Sequence, residues 1–162
     1  MKKLIKRLFV LLMVVFGLVG CAPKHFTGRW NYVAVADVQI ASSVSDARLE
    51  ELKEEYGVND KLALQTAVCD ELNEEQTLKD YYLDLNGKNT KSWDPNLNRE
   101  ASWILYQTSE TEGFLSFYEL EDASQGNPDP SICPSLRYNN EIDVMYVTLK
   151  YIAFMVTLTL SR

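Results

Sequence analysis

The sequence predicts an α+β fold, mainly antiparallel β, curled into a barrel or half-barrel with one or two helices inserted after the first strand. Three observations predict it. Short runs of β-branched and aromatic residues alternate with turn signals, among them Asn86-Gly87. Only residues 45–75 carry apolar side chains at helical spacing. The C-terminal stretch Ile142 to Leu160 repeats with a period of two.

Taken in order, Phe26-Thr27-Gly28-Arg29-Trp30 leads into a strand through Tyr32, Val33, Val35 and Val38, where β-branched and aromatic residues dominate. Ser45 is a natural N-cap for a helix, with Val44 and Leu49 at the two staple positions around it. Leu49, Leu52 and Tyr56 form one apolar stripe, and Gly57 is a natural stop. The carboxylates of Glu50, Glu51, Glu54 and Glu55 lie mainly on the other face, as a solvated surface. Asn59-Asp60 caps a second helix with Leu64, Val68 and Leu72 in its stripe, Ala67 beside it and Cys69 at its edge; a strand through 62–68 is the alternative. Tyr81 to Leu85 then meets the Asn86-Gly87 turn, Lys88 to Trp93 returns, and Asp94-Pro95-Asn96 breaks the strand. Ala101 to Gln107 and Phe114 to Leu120 form another pair around a polar turn. Residues 121–140 read as a long loop carrying Cys133.

In the last stretch Met145, Val147, Leu149 and Tyr151 are apolar at odd positions, then Ile152, Phe154, Val156, Leu158 and Leu160 at even ones. A regular strand cannot change phase, so a bulge or tight turn belongs near Lys150-Tyr151. The expected core is Trp30, Val33, Val35, Leu49, Leu52, Leu83, Trp103, Leu105, Phe117, Val147, Phe154, Val156 and Leu158.

The N-terminus reads as an address. Lys2, Lys3, Lys6 and Arg7 precede an apolar run from Leu8 to Phe16, followed by Leu18-Val19-Gly20-Cys21. The run is far short of the ~20 residues a membrane-spanning helix needs, and the layout is that of a secretory signal. Leu18-Val19-Gly20-Cys21 resembles the bacterial lipoprotein signal, the lipobox. The resemblance implies a signal peptide over residues 1–20, a thioether-linked lipid and an acylated amine on Cys21, a tether over 21–25 and a single β-rich domain over 26–162. Several acyl chains meet the requirement for stable anchoring. Ala22 stands where an aspartate often retains such proteins in the inner membrane; its absence implies the outer membrane, facing the periplasm, if the cell is Gram-negative.

Charge and cysteine usage narrow the partners. The signal takes four basic and no acidic residues, leaving 12 basic against 23 acidic, a net of −11. Such a domain does not bind nucleic acid through phosphates, nor lie flat on anionic lipid, so the covalent lipid is its expected hold on the membrane. With Cys21 assigned, Cys69 and Cys133 are left for a disulfide suited to an exported domain; two buried thiols are the alternative.

Nothing in the motifs points to catalysis, a metal or a cofactor. The one histidine, His25, sits in the tether. Asp94-x-Asn96-x-Asn98 opens like a calcium loop, but Arg99 stands where the glycine belongs and Leu105 where the glutamate does, so a turn capped by Asx side chains is the better reading. Gly28-Arg29-Trp30 resembles the Gly-x-Trp motif of lipocalins. That resemblance implies a barrel floored by Trp30, with Arg162, just after the last strand, packed over its ring. The helical insert at 45–75 departs from the lipocalin pattern. The expectation is a non-enzymatic, lipid-anchored binding domain for a small apolar ligand; the alternative is an envelope assembly or interaction subunit holding a protein partner by the acidic helix face or the 121–140 loop.

Overall fold

Among the described residues, eight antiparallel strands close into a barrel in chain order, each paired with its neighbour and the last with the first. The computed structural model describes residues 27–87, 89–95, 98–116 and 133–162. Cys21, His25, Asn96, Phe117 and most of the expected 121–140 loop lie outside the described residues. The elements are β1 (Gly28–Ile40), α1 (Asp46–Glu55), α2 (Lys61–Glu74), β2 (Tyr82–Asn86), β3 (Asn89–Asp94), β4 (Arg99–Gln107), β5 (Glu112–Ser116), β6 (Ser135–Asn139), β7 (Val144–Tyr151) and β8 (Phe154–Ser161). The order gives the barrel two distinct ends. β1 begins, β8 ends and the β2–β3, β4–β5 and β6–β7 turns lie at one end; the helices and the β7–β8 turn lie at the other.

The helices form where the stripes place them. Ser45 Oγ accepts from the Arg48 amide at 3.3 Å, and Asp60 Oδ1 accepts from the Ala63 amide at 2.9 Å. Leu52 in α1 and Leu64, Val68 and Leu72 in α2 are buried, so residues 62–68 are helix rather than strand. Tyr56 joins the two helices: burial, and then the Glu71 carboxylate beside it, push its pKa up to about 12.

The register gives the strand faces. Trp30 pairs with Leu83, Leu83 with Ser92, and Leu85 with Thr90, so the inward set runs from strand to strand. Inward Leu83, Leu85, Met145, Val147, Val156, Leu158 and Leu160 have no surface a water molecule could touch. An eight-stranded barrel is just wide enough for side chains to fill it, and along β2, β7 and β8 these side chains are fully buried.

Three expectations change and a fourth is sharpened. Val33 is 53 % exposed rather than core, because the β1–β8 register shifts between Tyr32 and Ala34 and the extra residue is turned out. The end of the expected loop is strand: Ser135 to Asn139 form β6, with Leu136 and Tyr138 buried. In the β2–β3 hairpin Asn86 pairs with Asn89, so Asn86 ends its strand and Gly87, at φ +67°, starts the turn. The phase change is a tight turn: Tyr151 pairs with Phe154 across Ile152-Ala153, two residues beyond the expected point, with Ile152 at φ +54°.

No disulfide joins Cys69 to Cys133. Cys69 sits on α2 with its sulfur 3.8 Å from the Val35 carbonyl of β1. Cys133 lies two residues before β6, which β7 and β8 separate from β1. Three inter-strand spacings amount to ~14 Å, well beyond the reach of a disulfide.

Gly113 of β5 allows a close approach between strands: a Cβ there would stand 2.8 Å from the Tyr106 carbonyl oxygen. Gly113→Ala is expected to lower stability by about 1–3 kcal/mol, since the obstructing atom is backbone and cannot step aside. Urea denaturation checks this, and a change below about 0.5 kcal/mol would contradict it.

Candidate functional site

Three places on the barrel bear on function: the floor at the β1 start, the lumen above it, and a hollow on the outer wall.

At the floor, Gly28 opens β1 at φ +102°, a conformation that favours glycine, and faces Leu85. Trp30 is completely buried, and the Arg162 guanidinium carbon lies 4.6 Å from its ring centroid. The structure thus brings Gly28, Trp30 and Arg162 to one end of the barrel. Two further residues close the arrangement. Tyr138 meets the Trp30 ring edge-on at 5.7 Å and donates its hydroxyl to Asp143 at 2.9 Å. Asp143 lies 3.7 Å from Arg162. The Asp143 carboxylate, and then burial, raise the Tyr138 pKa, while Arg162 opposes them. The four side chains form a closed circuit linking β1, β6, the β6–β7 turn and the C-terminus.

In the lumen, among the described residues, three buried polar atoms lack hydrogen-bond partners: Trp30 Nε1, the Tyr81 hydroxyl and Thr90 Oγ1. Burial raises the Tyr81 pKa; nearby Ser92 opposes this in part, without a well-aligned bond. Ser92 Oγ already accepts from Trp103 Nε1 at 2.7 Å. Orphaned polar groups of this kind cost about 1–3 kcal/mol each.

The far half of β1 has no strand on its second side, because β2 pairs only with Gly28 to Asn31. α2 takes that edge with side-chain amides. Asn73 Oδ1 accepts from the Val35 amide at 2.9 Å, and Asn73 Nδ2 donates to the Val35 carbonyl at 3.1 Å. Gln65 Nε2 donates to the Val38 carbonyl at 2.9 Å.

On the outer wall a half-open hollow of about 570 Å³ spans β1, β8, β7, β6 and β5. Its floor follows one cross-strand row. Asp37 pairs with Thr157, Thr157 with Thr148, Thr148 with Ser135, and Ser135 with Phe114. Thr148 and Thr157 share a hydrogen bond of 2.9 Å, and Gln39 Nε2 donates to Asp37 at 3.0 Å. Phe114 stacks on Tyr106 at 5.2 Å, and Arg137 lies over Tyr146 at 5.2 Å. Glu112 and Thr108 complete the rim at the β4–β5 turn. On the wall formed by β2, β3 and β4, Lys91 Nζ lies 2.8 Å from Glu100, Tyr82 donates to the same carboxylate, and Arg29 covers the Tyr82 ring at 4.0 Å. Lys91, then Tyr82, lower the Glu100 pKa. Those charges face solvent and contribute little to stability.

Among the described residues no group of three or more histidine, cysteine, aspartate or glutamate side chains is placed to hold a metal ion. The sequence did not single out Tyr138, Asp143, Asn73 or the outer row. Leu136 and Tyr138 alternate as a strand would, a signal hidden in polar surroundings; the outer row exists only once five strands are in register. No family model, curated protein or solved structure matches the chain.

Proposed function

We propose that this protein is a non-catalytic binding protein of the cell envelope, held at the membrane by lipid on Cys21, and that it binds through its outer wall. The observation that carries the site is the contrast between the two spaces. The inward side chains of β2, β7 and β8 leave no room for a water molecule, whereas the outer hollow offers about 570 Å³ as it stands. That volume lies within the usual range for small-molecule sites.

The tether supports the anchoring half of the proposal. Six residues separate Cys21 from Gly28, a reach of at most ~25 Å, so the floor end faces the membrane. Residues 46–75 carry ten acidic and three basic side chains, a net of −7, and they lie at the opposite end. The acidic helices therefore point away from anionic lipid.

Two substitutions test the reading. Cys21→Ala is expected to move the mature protein from the membrane to the soluble fraction; an unchanged membrane fraction with no lipid on the N-terminus refutes the anchor. Thr148→Arg fills the centre of the hollow from an outward position. Whatever wild-type protein retains from native envelope extract is expected to be lost, with thermal stability unchanged. Undiminished retention removes the outer wall from consideration.

A second reading, a small apolar ligand in the lumen, draws on the three orphaned atoms Trp30 Nε1, Tyr81 hydroxyl and Thr90 Oγ1. A ligand carrying one acceptor group would satisfy part of that set, but it needs the lumen to expand. Tryptophan fluorescence separates the two readings.

A further inference from the structure

We infer that the outer hollow takes a neutral, hydroxyl-rich ligand, of the saccharide class; this rests on the outer-wall reading and names its ligand. The chemistry of the row decides the class. Thr157, Thr148 and Ser135 set three hydroxyls side by side across adjacent strands, at intervals of ~4.8 Å. Each hydroxyl donates and accepts, and the Thr148–Thr157 bond uses only part of that capacity. Asp37 at one rim supplies a carboxylate acceptor, and Glu112 supplies another at the opposite rim.

Other ligand classes fit less well. An anion meets Asp37 and Glu112 at both rims of a domain with net charge −11. A cation meets Arg137, which stands on the floor over Tyr146. An apolar molecule would strip water from two carboxylates and three hydroxyls and return no hydrogen bonds, a cost that burial of its own surface does not offset. A polyhydroxylated neutral ligand pairs with each of these groups whatever its orientation, because its hydroxyls also play both roles.

The test uses full-length, 15N-labelled protein in a sugar-free detergent, titrated with maltotetraose and chitotetraose. The expected result is a saturable shift of the Thr148, Thr157 and Ser135 amide signals. The Thr148→Val/Thr157→Val variant keeps the β-branched shape of the wall and is expected to bind roughly tenfold more weakly through loss of two hydroxyls. Asp37→Asn, which removes the carboxylate at one rim and keeps the size of the side chain, is expected to weaken binding to a smaller extent. If dodecanoate or trilysine moves these amides while both saccharides leave them still, the ligand class is wrong and the outer-wall site stands. The same holds if only envelope extract moves them. If neither the probes nor envelope extract moves them, the site and the class fall together.

Discussion

Asn73→Ala is expected to lower the stability of the domain by about 3 kcal/mol, and the reason lies in the backbone of β1. The Val35 amide and carbonyl face the side of β1 on which no strand lies. Asn73 meets both, at 2.9 and 3.1 Å, and also accepts from the Tyr32 hydroxyl at 3.3 Å. Alanine leaves all three groups without that partner beneath a helix. Leaving buried polar groups unsatisfied costs more than any average hydrogen bond contributes. For a domain of this size the loss corresponds to a fall in Tm of about 10 °C. Asn73→Asp is informative beside it: the carboxylate still accepts from the Val35 amide but cannot donate to the Val35 carbonyl, so an intermediate loss is expected. Amide exchange localises the effect, with Val35 and Val38 losing protection before the β7–β8 ladder does. A loss below about 0.5 kcal/mol would mean that α2 merely lies on β1 and does not complete it.

The second large effect is at the floor. Trp30→Ala is expected to cost about 4 kcal/mol, at the level of large-to-small aromatic substitutions in packed cores. The ring is completely buried, is met edge-on by Tyr138 and is covered by Arg162. Arg162→Ala alone is expected to cost about 1 kcal/mol, since the guanidinium is partly exposed and gains only a cation–π contact and a long ion pair to Asp143. The double variant distinguishes a circuit from two independent contacts. With Trp30 already gone, removing Arg162 is expected to cost measurably less than it does alone, a coupling of about 0.5–1 kcal/mol. Strict additivity in urea denaturation would show that the guanidinium and the ring do not act together.

Much of the architecture was legible in the sequence because it rests on local signals. Ser45 and Asp60 are caps whose side chains reach the first free amides, and the stripes at Leu64, Val68 and Leu72 have one face to bury. The phase change between Tyr151 and Ile152 could only be a bulge or a turn, and it is a turn. What was not legible depends on register. Val33 looks like its neighbours in sequence and lies outside only because the β1–β8 register slips beside it. Cys69 and Cys133 suggested a bridge by number and compartment, yet number says nothing of the strands between them. Asn73 stands beside the apolar stripe of a helix as an ordinary polar residue; its partner is 38 positions away. The outer row joins residues from positions 37 to 157, and no local pattern marks any of them. Gly28, Trp30 and Arg162 form an intermediate case: three residues raised by resemblance, which the fold brings to one end.

The central claim is that this barrel is packed inside and binds outside. Tryptophan fluorescence with a brominated fatty acid tests it most directly, because the inward indoles of Trp30 and Trp103 would touch any lumen ligand. Full-length protein titrated with one to five equivalents is predicted to keep its emission, as Trp30 is completely buried and Trp103 nearly so. Saturable quenching near one equivalent, abolished in Trp30→Phe, would place the ligand in the lumen and contradict the account.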